Sequence, residues 1–229
     1  MEKFSNIYLR AVERKGGKKA LKSLIQKPAT NKQLIKFADR DYLAAMTKKV
    51  FQSGFIWRVV ENKWSGFEEV FWGFSPEKLQ LASDEQIERM AQDKRIIRNY
   101  IKVKSVRENA YFVKDVSDKL GSFGQFIADW PVEEITLLWL DLKKKGCRLG
   151  GNTGPYFLRA MGKDTFLLTR DIVAYLMGQG VIERQPNSQR DLRIVQTIFN
   201  DWQQQSTLSM TEISKVLAYS FGENLESFQ

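Results

Sequence analysis

The 229-residue sequence contains no histidine and a single cysteine, Cys147. A disulfide within the chain is therefore impossible, and both a Cys/His zinc site and catalysis by a serine–histidine pair are excluded. Only five prolines are present, and no apolar run approaches the roughly 18 residues of a membrane span. The N-terminus lacks the apolar core of a signal peptide. We therefore expect a cytoplasmic protein without a metal or another cofactor.

Positively charged residues outnumber negatively charged ones. Lysine and arginine number 36 against 27 aspartates and glutamates, so the net charge is +9, and hydrophobic residues make up 43% of the chain. This length and apolar content are enough for one large core or two small ones. The positive charge suits a polyanionic partner such as nucleic acid, although many basic proteins bind no polyanion.

Apolar residues recur at helical spacing along most of the chain, and no segment shows the alternation of a half-buried strand. Ser75-Pro76 is typical of a helix start, and capping boxes begin at Ser83 and Ser209. The pattern predicts an all-α fold, read as one helical domain over residues 1–229 that could have two lobes. The longest helices are expected over residues 3–14, 39–53, 93–120, 132–144 and 190–204. Core or interface positions near the termini are Phe4, Phe221 and Phe228.

Aromatic residues concentrate between residues 55 and 74. Phe67, Phe71, Trp72 and Phe74 lie at spacings that predict packing between helices. Trp57, just before them, could be another core aromatic or an exposed platform for a planar ligand.

The most distinctive stretch is Arg148–Leu176, which joins a glycine-rich turn to two short helices. It predicts a helix-hairpin-helix near residues 145–177. Glycines permit close backbone approach, and the first amides of a helix over Pro155–Met161 would point at an anion such as a DNA phosphate. The alternative is an ordinary helix C-cap followed by a turn. The residues predicted to contact phosphate are Gly150, Gly151, Asn152, Thr153 and Gly154, flanked by Arg148 and Lys163.

The order of these segments resembles the 3-methyladenine DNA glycosylase I (Tag) family, a branch of the helix-hairpin-helix DNA glycosylases. The resemblance spans most of Ile7–Asp164 and implies a helical protein that binds double-stranded DNA containing a damaged base. It also implies that the base is flipped out and its N-glycosidic bond hydrolysed, as for an alkylated purine such as 3-methyladenine. The matching parts are Gln52–Trp57, the spacing of Phe67, Phe71 and Phe74-Ser75-Pro76, Ile96–Asn99 with Lys102, Asn109-Ala110, and Gly150–Tyr156.

Several positions depart from the family pattern. Trp57 and Gln52 fall where the family has the stacking tryptophan and its neighbouring glutamine, but Lys49 stands where the family has a base-recognising glutamate. Ala11 and Val12 replace a stacking tyrosine and a zinc-binding histidine, so no zinc is expected. We interpret Trp57, Lys49 and Gln52 as base-binding residues.

Lys49 and a possible catalytic aspartate each have more than one interpretation. Lys49 could point into solvent or toward phosphate, or, if buried and deprotonated, attack the sugar carbon as in a bifunctional lyase. In other helix-hairpin-helix glycosylases a catalytic aspartate follows the hairpin; counting from Phe166 places Thr169 there, with Asp171 two residues later. We predict Asp171 as the water-activating residue, while its carboxylate could instead complement a helix dipole.

Three functions are consistent with the sequence. The first is a DNA glycosylase of base excision repair. The second is a helix-hairpin-helix protein that recognises lesions or duplex DNA without excising a base. The third is a helical protein-interaction module whose positive charge is incidental.

Overall fold

The computed structural model describes residues 1–222, and Phe228 lies outside them. In that range the chain forms fifteen α-helices and two 3₁₀ turns, with no β-strand, which confirms the all-α prediction. No helix of the described chain is long and apolar enough to cross a membrane. The helices are α1 (Phe4–Arg14), α2 (Lys18–Leu24), α3 (Asn31–Lys36), α4 (Asp39–Gln52), α5 (Trp57–Asn62), α6 (Trp64–Val70), α7 (Pro76–Leu79), α8 (Asp84–Gln92), α9 (Tyr100–Leu120), α10 (Phe123–Asp129), α11 (Ile135–Lys145), α12 (Thr153–Met161), α13 (Arg170–Gly178), α14 (Gln189–Ser206) and α15 (Met210–Ser220).

Contacts divide the chain into two compact units. The central unit consists of Thr30–Trp130 and Trp139–Lys163, and the terminal unit of Met1–Ala29, Pro131–Leu138 and, within the described residues, 164–222. The predicted hairpin segment is therefore shared, with residues 145–163 in the central unit and 164–177 in the terminal unit. That the chain behaves as one domain stays a prediction.

The central unit is organised around α4, which packs against α9 and α12. Beside α4 lies an aromatic cluster in which Phe51 meets Phe67 edge-on at 4.7 Å, and Phe71 and Phe74 are almost fully buried. These contacts confirm the predicted core role of Phe67, Phe71 and Phe74. Trp72 differs, because it lies in a 3₁₀ turn at φ 51° and is 37% exposed.

Helix α9 begins at Tyr100, seven residues later than the expected start at residue 93. Asn99 is the N-cap and its side chain accepts a hydrogen bond from the amide of Lys102. Upstream, the Asp93 carboxylate accepts from the amide and guanidinium of Arg95, which closes a local turn. Local side-chain acceptors thus replace the helical hydrogen bonds that the apolar spacing suggested.

The terminal unit packs α1 against α14 and α15. Its core includes Phe166 stacked on Phe199 at 4.0 Å, and Phe4, which is 3% exposed. Asp164 accepts hydrogen bonds from the Met210 and Thr211 amides at the start of α15. The predicted capping boxes at Ser83 and Ser209 are both confirmed. Phe221, at the C-terminal end of the described chain, is 38% exposed.

Candidate functional site

Trp57 is the first residue of α5 and lies at the surface of the central unit. It is partly exposed, and its ring meets that of Tyr156 edge-on, with centroids 5.8 Å apart and an interplanar angle of 87°. Tyr156 belongs to the first turns of α12, directly after the glycine turn. The indole therefore contacts the helix that follows the turn and is not enclosed in the aliphatic core.

A chain of polar contacts links α4 to α5 beside this indole, and we call it the α4–α5 network. The Lys49 ammonium lies 4.4 Å from the Trp57 ring centroid and donates to Gln52 Oε1 at 2.8 Å. Gln52, 3% exposed, donates through Nε2 to Glu61 Oε1 at 3.0 Å. The other carboxylate oxygen of Glu61 pairs with the Lys48 ammonium at 2.7 Å. All three predicted base-binding residues thus lie together.

The position of Lys49 argues against one of its alternatives, an orientation into solvent. Its amine folds onto the indole instead of extending into solvent, and burial lowers the pKa of the Lys49 amine, which the nearby Glu61 carboxylate partly opposes. A cation over the face of an indole is attracted by the ring quadrupole. Lys49 is therefore part of the same local arrangement as Trp57 and Gln52.

Lys102 is a second buried amine close to this region. It is 4% exposed and donates to the carbonyl oxygens of Phe51 at 3.1 Å and Ser53 at 2.6 Å, where α4 ends. Burial, with a smaller effect of the positive Arg148, lowers the pKa of Lys102 to about 8. A cation at a helix C-terminus satisfies its last carbonyls and the helix dipole. Lys102 thereby fixes the end of α4 from which the Gly54–Trp57 segment departs.

The glycine turn joins α11 to α12, so these two helices flank the hairpin, while α13 follows only after an extended stretch. Asn109 of α9 holds the turn: its Nδ2 donates to Cys147 O at 3.1 Å and its Oδ1 accepts from Cys147 N at 2.7 Å. The next residue, Arg148, adopts φ 62° and exposes its side chain. This geometry presents Arg148 at the tip of the turn.

The residues of the glycine turn differ in their exposure and in whether their backbone amides could face an anion. Gly151, at φ 58°, and Asn152 are exposed. Gly154 is buried, and a Cβ there would lie 2.7 Å from Leu149 O, so its glycine is required by packing. Thr153 donates its amide to Gly150 O at 3.3 Å, and Pro155 has no N–H. The array of amides facing an anion is therefore smaller than the sequence suggested.

Lys163 requires a correction. It is 2% exposed, and its ammonium donates to the carbonyl oxygens of Ala128 at 3.2 Å and Trp130 at 2.6 Å. These carbonyls lie at the C-terminal end of α10, so the lysine stabilises that end in the way Lys102 stabilises α4. A buried ammonium held by two carbonyls is not available to a phosphate, and the predicted phosphate contact is wrong.

Asp171 lies in the terminal unit, in the first turn of α13. Thr169 is the N-cap of that helix and accepts from the Ile172 amide. The Asp171 carboxylate lies near Gly222, the last described residue, where an added Cβ would approach it to 2.6 Å. This position fits the helix-dipole alternative, and the catalytic role of Asp171 stays a prediction.

Within the described residues, no group of three or more His, Cys, Asp or Glu side chains is placed to hold a metal ion. Ala11 and Val12, where the resembled family has a stacking tyrosine and a zinc ligand, carry only hydrocarbon side chains, and Ala11 is fully buried in α1. These two residues do not fit a zinc site.

Two residues of this region, Lys102 and Glu61, are not predicted from the sequence. Lys102 is not among the predicted site residues, although its spacing to Val106 and Val113 puts it on the apolar face of α9, a signal present in the sequence. Glu61 is not predicted either, and no sequence signal links it to Gln52, because their contact depends on the turn between α4 and α5.

The sequence profile of the methyladenine glycosylase family matches residues 34–163, more than half of the 229-residue chain. The chain therefore belongs to the methyladenine glycosylase family. The matched segment almost coincides with the central unit, which contains Trp57, Lys49, Gln52 and the glycine turn. Ala11, Val12 and Asp171 lie outside it. A comparison with proteins of curated function finds no match.

Solved structures of DNA glycosylases share the fold. The 3-methyladenine DNA glycosylase I of Staphylococcus aureus is 23% identical, with 55% of this chain and 77% of that chain covered and a TM-score of 0.50. The 8-oxoguanine DNA glycosylase of Methanocaldococcus jannaschii is 15% identical, with 94% and 93% of the two chains covered and a TM-score of 0.58. At these identities the similarity defines a helical glycosylase-type fold and no substrate.

Proposed function

We propose that this protein is a DNA glycosylase that flips a damaged purine out of duplex DNA and hydrolyses its N-glycosidic bond. The observation that carries the proposal is the partly exposed Trp57, in edge contact with Tyr156 at the start of the helix after the glycine turn. A surface for a base and a turn for its backbone phosphate then belong to the same compact unit.

Stacking and phosphate contacts of this kind can offset the free energy that base flipping costs. Extruding a base costs a few kcal/mol, and stacking on an aromatic side chain returns about 1 to 3 kcal/mol. Phosphate contacts supply the remainder, for which Arg148, Gly151 and Asn152 at the exposed part of the turn are suited. The net charge of +9 favours association with the duplex as a whole.

The chemical step needs a water molecule and a group that accepts its proton. The water oxygen bonds to the sugar C1′, the C1′–N bond breaks with its electron pair going to the departing base, and a carboxylate takes the proton of the water. A cationic alkylated base departs as a neutral molecule, whereas an uncharged base departs as an anion that then takes up a proton. Asp171 remains the carboxylate proposed from its place after the hairpin. Alkylated purines such as 3-methyladenine are the first substrates to test, given the family to which the chain belongs.

The test is release of free base from damaged duplexes in single-turnover assays, with Trp57→Ala as the variant. We expect Trp57→Ala to slow release by roughly 5- to 160-fold, since stacking on an aromatic ring contributes about 1 to 3 kcal/mol. Trp72→Ala is the matched control, because Trp72 is an exposed tryptophan (37%) outside the α4–α5 network. Tight, salt-sensitive duplex binding without release of any damaged base would replace the proposal by lesion recognition without excision.

A further inference from the structure

We propose that the base accepted at this site is an uncharged 6-keto purine, such as hypoxanthine or 8-oxoguanine, whose O6 and N1–H are read by Lys49 and Glu61. The inference rests on the proposed glycosylase function and names its substrate class. The α4–α5 network carries it, because this network places a group that only donates hydrogen bonds near one that only accepts them.

Lys49 supplies the donor. An ammonium has three N–H donors and no acceptor, and Gln52 Oε1 takes one of them at 2.8 Å. The same ammonium lies 4.4 Å from the Trp57 ring centroid, so it borders the space in which a base would meet the indole. Lysine commonly recognises the O6 and N7 acceptors of guanine-type purines.

Glu61 supplies the acceptor. Its carboxylate is held by Gln52 at 3.0 Å and by Lys48 at 2.7 Å, and its side chain is 50% exposed. An ionised carboxylate has about four lone-pair sites and no donor, so it can accept further hydrogen bonds. Gln52 joins the two groups, with its carbonyl toward Lys49 and its amide nitrogen toward Glu61, which fixes the order of donor and acceptor.

This order distinguishes keto from amino purines. A 6-keto purine presents an acceptor, O6, beside a donor, N1–H, and complements a donor-only and an acceptor-only group. Adenine presents the reverse, an amino donor beside the N1 acceptor, and would face donor with donor and acceptor with acceptor. Mismatched groups of this kind lose their water without gaining a partner.

Charge acts in the same direction. Adenine that is alkylated at N3 in DNA is a cation, and the Lys49 ammonium beside Trp57 is also positive. Two like charges at close range in a partly desolvated site repel each other, and the Lys49 ammonium lies only 4.4 Å from the centroid of the indole that the base would contact. The site therefore favours a neutral damaged base over an alkylated, cationic one.

Normal guanine also carries O6 and N1–H, and the cost of extrusion separates it from a mispaired lesion such as hypoxanthine opposite thymine. Base flipping is cheapest for a damaged or mispaired base. Hypoxanthine formed by hydrolytic deamination of adenine remains opposite thymine and is mispaired, whereas guanine is held by its full pairing with cytosine. A reaction that deaminates or oxidises a purine in place must therefore precede this step.

The experiment uses the full chain and four duplexes, containing hypoxanthine opposite thymine, 8-oxoguanine, 3-methyladenine or undamaged guanine. Base release is measured under single-turnover conditions for the wild type, Lys49→Met, Lys49→Glu and Lys36→Met. Lys36 is an exposed lysine on α3 and controls for the loss of one positive charge. Thermal unfolding of each variant shows whether it folds.

We expect the wild type to release hypoxanthine or 8-oxoguanine at least tenfold faster than 3-methyladenine, and the two arms identify which lesion is used. Lys49→Met should slow that release at least tenfold, and Lys49→Glu should shift the preference toward 3-methyladenine. Lys36→Met should match the wild type.

Three results would overturn the inference. Faster release of 3-methyladenine by the wild type, undiminished in Lys49→Met, would refute it while leaving the glycosylase function intact. Release from none of the damaged duplexes would refute the glycosylase function as well. Borohydride trapping of a protein–DNA adduct that is lost in Lys49→Met would make Lys49 a nucleophile and not a reader of the base.

Discussion

Replacing Asn109 by alanine should loosen the glycine turn while sparing the α4–α5 network. Asn109 is 1% exposed, and its side chain bonds both the N–H and the C=O of Cys147, at 2.7 and 3.1 Å. Each bond contributes about 1 kcal/mol net, and a polar group left without a partner costs about 1 to 3 kcal/mol where water cannot replace it. Because Cys147 is only partly buried, water can compensate in part. We expect the free energy of unfolding to fall by about 2 to 3 kcal/mol.

Urea unfolding of wild type, Asn109→Ala and Asn31→Ala measures this loss. Asn31 is an exposed asparagine at the start of α3, and its replacement should change stability by less than about 0.5 kcal/mol. Duplex binding provides a second readout: Asn109→Ala should bind more weakly and with a shallower salt dependence, because Arg148 follows Cys147 directly. An Asn109→Ala variant with the urea midpoint and salt dependence of the wild type would show that the amide does not hold the turn.

Three further perturbations test other parts of the structure. Arg148→Gln should reduce the slope of log K against log salt by about 1, in a salt titration of duplex binding, and an unchanged slope would exclude a phosphate contact. Lys163→Met should lower the free energy of unfolding, measured with urea, by about 1 to 3 kcal/mol through the lost carbonyl contacts at the end of α10, with no change in the salt slope. Because burial lowers the pKa of Lys102 from 10.5 to about 8, the unfolded chain binds more protons in this window and stability should gain a contribution as pH rises from 8 to 10.5. Urea midpoints across this pH range should lose that contribution in Lys102→Met; an identical pH dependence would refute the assignment.

Much of the secondary structure could be predicted from local sequence. The caps at Ser83 and Ser209 determine where α8 and α15 begin, because a side-chain oxygen three residues before an amide acts within a single turn. The expected extension of α9 to residue 93 was wrong for an equally local reason. The Asp93–Arg95 turn and the Asn99 cap compete with the helix, and apolar spacing does not register that competition.

Three residues of the candidate site could be named from the sequence, but the contacts between them could not be predicted. Trp57, Lys49 and Gln52 were identified by resemblance, and their contacts agree with a common location. The sequence leaves open whether Lys49 contacts a base, points into solvent or toward phosphate, or attacks the sugar carbon, because a lysine stem reaches several partners from one helix position. The contact of Gln52 with Glu61 joins two helices and required the turn between them.

The sequence by itself determined the helical class, the basic character and the absence of histidine chemistry, since composition and short-range spacing are sufficient for these properties. Only the tertiary structure decided which lysines are buried and which groups they contact. Lys163 looks like a surface charge in sequence, and Lys102 follows the apolar spacing of α9 without indicating its partner, yet each is buried against the carbonyls at the end of another helix. Those carbonyls come from segments 49 and 33 residues away, and no local pattern records a contact over that distance.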